Sequence, residues 1–255
     1  MKSNNLQTIY VMWLREMKRF LRAKSRVIST LAMPFFFLVA LGFGLKPSSS
    51  LPGMAQTKYL DFLVPGIIGM TMLFTSMFAG ISVLWDKEFG FLKEILVAPV
   101  RRSVVVLGRI AGGITTALIQ GILILIISLF MGFKILNPFG IILALLFMIL
   151  IGIGFIGFGV AMASIMKDVQ GFSSIKNLIT FPIFLLSGAL FPVTNLPNWL
   201  RPIILINPLT YGVDGLRASL IGFSQLSLFL DLAILLIFGL AMIILGSYLF
   251  SKTEV

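Results

Sequence analysis

Long apolar runs alternate along the chain with short polar breaks, and the pattern predicts helices that cross a membrane. Apolar stretches at about 27–45, 60–84, 104–131, 139–166 and 228–250 each approach or exceed the ~20 residues a spanning helix needs. A sixth, about 177–191, contains Pro182 and at about 1.5 Å per residue covers roughly 22 Å, short of the ~30 Å hydrocarbon core. Before the first span, Leu6, Ile9, Trp13, Met17, Phe20 and Leu21 share one helical face, while Arg15, Lys18, Arg19 and Arg22 lie on the other. That pattern predicts an amphipathic helix within residues 1–26, lying along the headgroups. Residues 27–255 then form a six-span transmembrane domain, and the fold class is all-α integral membrane protein. The stretch 192–222, PVTNLPNWLRPIILINPLTYGVDGLRASLIG, is apolar but repeatedly broken by proline. Irregular backbone cannot face lipid, so this segment is expected to be a re-entrant hairpin or a cap packed on protein.

One break differs from the others. Residues 85–102 read WDKEFGFLKEILVAPVRR, mixing both charge signs with an apolar stripe. Phe89, Leu92 and Leu96 follow helical spacing with Phe91 and Ile95 beside them, while Lys87, Lys93 and Glu94 point elsewhere; Pro99 ends the pattern. Two readings stay open here. The helix lies in the headgroups, or it docks a soluble partner.

Charge distribution sets the expected orientation. With the N-terminus inside, fourteen of the twenty Lys and Arg residues fall in cytoplasmic segments and five in external ones, which favours cytoplasmic termini. Composition then narrows the function. The chain is 58% hydrophobic and 11% charged, against about 25% charged in soluble domains. Its net charge of +11 clusters beside spans, so topology accounts for it better than nucleic acid does. The chain contains no Cys and no His, which removes thiolate chemistry, imidazole proton shuttles and ordinary zinc sites. No metal site is expected.

The fourth span holds Gly152, Gly154, Gly157 and Gly159, a GxGxxG spacing. Its flanks are apolar helix instead of the strand and soluble helix a dinucleotide needs, so the glycines are expected to let helices approach closely. Gly108 and Gly112 invite the same reading. No ionisable group is expected at the middle of a span, which argues against ion-coupled transport by this chain alone. It also carries no GxxxxGK[ST] loop for ATP and no paired nucleophile and base. The alternatives to a subunit powered from outside are a self-sufficient channel or secondary carrier and, more weakly, an intramembrane enzyme.

Two stretches carry a family resemblance. Glu88, Phe89, Gly90, Glu94, Leu96, Pro99 and Arg101, in that order, resemble the intracellular loop of type-2 ABC transporter permeases. FPVTNLPNWLRPIILINPLTYGVDGLR, Phe191 to Arg217, resembles that family's external segment before the last span, as in daunorubicin-resistance-type and nodulation-type exporters.

The resemblance implies a homodimer of six-span subunits, each docked on a separate ABC ATPase that binds ATP and Mg. In such a subunit Trp85, Asp86, Lys87, Glu88, Phe89, Phe91, Leu92, Lys93, Glu94, Ile95 and Pro99 would form a coupling helix. Phe89, Leu92 and Ile95 would fill a groove of the ATPase, with Glu88, Lys93 and Glu94 at its rim. The second and fifth spans would line the path, through Phe74, Met77, Phe78, Phe181, Phe184 and Leu185, although packing against other helices or lipid explains each of these residues as well. Asn195, Pro197, Trp199, Asn207, Pro208, Tyr211, Asp214 and Arg217 would belong to an external gate, with Asp214 and Arg217 able to pair at i, i+3. Thirteen Met and 24 Phe suit an amphipathic cargo, whether drug, lipid or glycan-lipid.

Overall fold

A computed structural model describes residues 5–44, 59–91, 100, 102–192, 197 and 199–252. Among them, ten helices form the fold. They are α1 (Asn5–Arg22), α2 (Lys24–Gly44), α3 (Tyr59–Ala79), α4 (Ile81–Glu88), α5 (Arg102–Phe130), α6 (Gly140–Ile165), α7 (Val169–Leu185), α8 (Arg201–Ile206), α9 (Pro208–Ile221) and α10 (Leu228–Ser251). Five runs are long and apolar enough to cross a membrane: Val27–Gly44, Tyr59–Glu88, Arg102–Phe130, Gly140–Ile165 and Leu228–Ser251.

The centre of the bundle is α3. Every residue from Phe62 to Leu73 is buried, because α2, α5, α6, α7 and α9 all pack around it. A helix enclosed on all sides has no polar face to keep, and its sequence is accordingly apolar all round.

Four boundaries differ from the sequence expectation. The second span was expected to stop at Leu84, with Trp85 opening a separate helix. Instead, α3 bends only slightly at Gly80, whose backbone stays right-handed helical, and α4 continues to Glu88. The stop comes at Gly90, which takes φ 72°, a conformation that side chains resist.

The polar residues 167–176 were expected to be a loop. They are mostly helix, because Asp168 caps α7 by accepting a hydrogen bond from the Gly171 amide at 2.6 Å. Phe172, Lys176, Thr180 and Phe184 then form its buried stripe. At 17 residues, or about 25 Å, α7 remains shorter than a full crossing.

The third difference concerns α1, which does not simply lie along a surface. Met12, Glu16 and Phe20 are buried, with α1 laid across α5 at Gly108 and Gly112. A Cβ on either glycine would meet the Met12 or Glu16 Cβ at 2.6 Å. The GxxxG therefore serves close packing, and its partner is this amphipathic helix. Trp13 Nε1 adds a 3.0 Å hydrogen bond to Thr115 Oγ1. Leu6 and Leu21, on the apolar face expected to meet the headgroups, are exposed from the bundle.

Fourth, the described part of the proline-broken segment from Arg201 onward forms α8, a turn at Asn207 and α9. Its prolines do not keep it irregular, because Pro208 sits at the first turn of α9, where its missing N–H costs nothing. Asn207 Oδ1 accepts from the Leu209 amide at 3.0 Å, and its Nδ2 donates to the Ile183 and Leu186 carbonyls at 2.6 and 3.0 Å. These bonds fasten the end of α7 to the start of α9.

The fourth-span glycines admit α10 and α4. A Cβ at Gly157 would lie 2.9 Å from the Met242 backbone, and one at Gly80 would overlap the Gly159 carbonyl. Small residues let these backbones meet, as they do in lipid-embedded bundles. Gly80→Val is therefore expected to destabilise the protein by about 1–3 kcal/mol through overpacking. Gly44→Ala, which would meet nothing within 4 Å, should leave thermal unfolding in detergent nearly unchanged. Equal melting temperatures for the two variants would contradict this packing.

Candidate functional site around Asp86

Asp86 lies on the last turn of α4 and is only 2% exposed. A carboxylate so placed must be paired, and three guanidinium groups converge on it. From α1, Arg15 donates to both oxygens, with the Nη1 to Oδ2 bond at 2.8 Å. Arg19, one turn further, donates to Oδ1 at 3.1 Å. From α5, the equally buried Arg109 donates to Oδ2 at 2.5 Å and to Ser82 Oγ at 3.1 Å. Ser82 and Asp86 stand four residues apart on α4, so one guanidinium bridges both.

The cluster extends beyond these hydrogen bonds. Glu16 pairs with Arg19 at 3.5 Å. The Arg15 guanidinium lies 4.1 Å from the Phe91 ring centroid, and that of Arg109 lies 5.8 Å from Phe250 on α10. Arg19 faces Trp85 at 6.0 Å. Three helices and Phe91, next after Gly90, are thus tied at one point. Three guanidinium groups against two carboxylates leave one formal positive charge.

This geometry divides the residues expected to form the coupling helix. Asp86 faces inward and belongs to the cluster, and Trp85 is half-buried against Phe78 and Arg19. Lys87 is half-buried, whereas Glu88, Phe89 and Phe91 are exposed, Phe89 at 81%. Leu92, Lys93, Glu94, Ile95 and Pro99 lie outside the described residues. The inward turn of Asp86 follows from helix continuity, which keeps it in register with Ser82. One signal for this was present in the sequence: Arg109, inside an apolar span, requires a counter-ion.

The six expected path residues also separate. Phe184 is fully buried between Phe37 and Phe74, with ring centroids at 5.8 and 6.4 Å. Met77 is buried as well. Phe78 is half-buried, with the Lys176 ammonium 5.1 Å from its ring. Phe181 and Leu185 are exposed on the outer face of α7, beside Ile175 and Leu178.

At the other end of α3, Asp214 and Arg217 do not pair. Asp214 binds the 224–226 turn, accepting from Ser224 Oγ and from the Gln225 and Leu226 amides at 2.8–3.1 Å. Arg217 Nη2 instead donates to the Gly188 carbonyl at 3.1 Å and the Phe62 carbonyl at 3.4 Å. The i, i+3 spacing was compatible with a pair, but each group finds backbone partners first. Tyr211 donates its hydroxyl to the Leu205 carbonyl at 2.6 Å. Burial raises the Tyr211 pKa, reinforced by the nearby Asp231 charge. Trp199 is 70% exposed and Pro197 is exposed, while Asn195 lies outside the described residues. No group of three or more carboxylates, His or Cys able to hold a metal occurs among the described residues.

Several known proteins are similar to this chain in sequence. Over 236 residues the chain is 28% identical to the inner membrane transport permease YadH of Escherichia coli K12, covering 90% of this chain and 89% of that one. It is 28% identical over 214 residues to ycf38 of Cyanophora paradoxa, described as a transport permease, covering 83% and 73%. It is 30% identical over 159 residues to YbhR of Escherichia coli K12, described as a multidrug ABC transporter permease, covering 61% and 42%. Residues 7–221 match the family model of the ABC-2 type transporter; the match takes in the Asp86 cluster and most of the bundle, and the chain belongs to that family.

Proposed function

We propose that this permease subunit works in an ATP-driven exporter, moving an amphipathic or lipid-like molecule with force received from a separate ABC ATPase. The observation that carries this reading is the placement of Phe89 and Phe91, exposed aromatic residues at the end of a helix that Asp86 anchors. An apolar knob on a rigid stem suits insertion into a partner's groove. The stem reaches the bundle centre through α4 and α3, so a displacement of the knob is carried along packed helix. ATP and Mg belong to the ATPase.

In this reading the subunit is a six-span, multi-pass protein of the cell membrane with both termini cytoplasmic, and α7 counts as the fifth of its six spans. A second copy of the chain would complete the path. The outward face of α7, with Leu178, Phe181 and Leu185, supplies an apolar surface for it. Within one subunit, Phe184 and Met77 act as packing. The external segment, α8 and α9, caps the exit.

Three experiments test the reading. Phe89→Asp in the full chain, co-purified with its ATPase, is expected to weaken the complex at least tenfold, about 1.4 kcal/mol. Undiminished assembly would overturn the knob. Liposomes holding the wild-type chain alone should show no flux down an ion gradient, and flux there would instead establish a self-sufficient carrier. Asp86→Asn is expected to destabilise the chain by about 3–5 kcal/mol, because it leaves buried guanidinium charge uncompensated. In the fraction that folds, the exposed Phe89 should still bind the ATPase while transport per ATP hydrolysed falls. Transport at the wild-type ratio would assign the cluster to stability alone.

A further inference from the structure

A second buried cation lies at the opposite end of α3 from the Asp86 cluster. Arg217, on α9, is 2% exposed, with its guanidinium carbon 3.7 Å from the Phe62 ring centroid. Its Nη2 reaches two carbonyls, but Nε has no hydrogen-bond partner and no carboxylate stands within ion-pair distance among the described residues. Burial lowers its pKa to about 10, with Asp214 pulling the other way, so the group is cationic at neutral pH. A buried charge satisfied only by carbonyl dipoles is costly, and an anion would relieve it.

Arg217 lines a small pocket of about 50 Å³. Ser187 and Thr210 line the wall with hydroxyls that already donate to the Phe184 and Ile204 carbonyls, so the donors facing the pocket are guanidinium groups, Arg201 bringing a second one from the exposed face of α8. Asp214 is the one acid in the lining. Its oxygens already accept from Ser224, Gln225 and Leu226, which spreads its charge into the turn. Among the lining residues, two guanidinium groups stand against one committed carboxylate, a formal charge of +1; the buried Asp231 of α10 lies near Asp214 but does not line the pocket. Leu205 and Leu226 form apolar walls, and α8 also exposes Ile203 and Ile206, with Trp199 just before it.

We propose that this pocket binds a phosphate group, with Arg217 as its buried anchor and Arg201 closing on it from the rim. Guanidinium forks match phosphate oxygens in pairs. The apolar residues around the mouth would receive the tail of a phosphate-bearing amphiphile. The site is formed by this chain alone, so it does not depend on the ATPase reading, and the two can fail separately.

The test uses the full chain in a zwitterionic or non-ionic detergent, without the ATPase. Isothermal titration with dihexanoyl phosphatidic acid and, separately, with inorganic phosphate compares two sources of the same group at constant ionic strength. The expected result is binding of at least one, weakened about tenfold in Arg201→Gln, whose exposed position spares the fold. Phosphatidic acid binding more tightly than inorganic phosphate assigns a lipid-like headgroup, and equal affinities assign a free phosphate. Arg217→Lys, which keeps the charge and loses the fork, should bind more weakly than wild type. The proposal is overturned if neither probe binds beyond a chloride control, or if Arg201→Gln binds as the wild type does.

Discussion

One buried carboxylate organises the end of the bundle at which α4 stops. Asp86 receives hydrogen bonds from Arg15, Arg19 and Arg109, and none of these groups has an inexpensive alternative. Arg109 is 2% exposed and inside an apolar helix, where an unpaired charge would cost several kcal/mol. The cluster therefore acts less as a source of net stability than as a constraint on arrangement. α1, α4 and α5 can satisfy their charges together in only one relative placement. The chain after Gly90 begins from that fixed point.

The glycines complete this constraint. Gly108 and Gly112 bring α1 close enough to α5 for Arg15 and Arg19 to reach Asp86. Gly80 and Gly159 let α4 approach α6 at backbone distance. Charge attraction falls slowly with distance, but hydrogen-bonded pairing requires contact. The small residues are what convert a general attraction into specific bonds. Three residues after Asp86 the chain exposes Phe89, so a fixed anchor and an accessible aromatic ring lie within one helical turn of each other.

The far end of α3 solves its polar problem differently. Arg217 is held by carbonyls and an aromatic face, and Asp214 by a turn. No ion pair closes the account there, and the pocket keeps an excess of positive charge. The central helix thus links guanidinium groups held by carboxylates at one end to a guanidinium held by carbonyl dipoles at the other. Internal pairing fixes the first, whereas the second remains available to an external anion.

Much of this was legible in the sequence because lipid tolerates so few alternatives. Apolar runs of spanning length can only be helices, and the permease family could be recognised from the segments at 88–101 and 191–217. The glycine spacing correctly suggested close helix contact. The sequence could not reveal which helix each glycine meets, since packing partners depend on three-dimensional arrangement. It left Asp86 among apparently solvated charges, because periodicity within one segment does not show that a helix continues from the preceding span. Asp214 and Arg217 looked paired for a similar reason: spacing measures reach along one helix and is blind to backbone groups arriving from elsewhere. Local chemistry, in short, determined the helices, their membrane character and the family. Tertiary structure decided which charges face each other, since burial and pairing belong to the meeting of segments far apart in the chain.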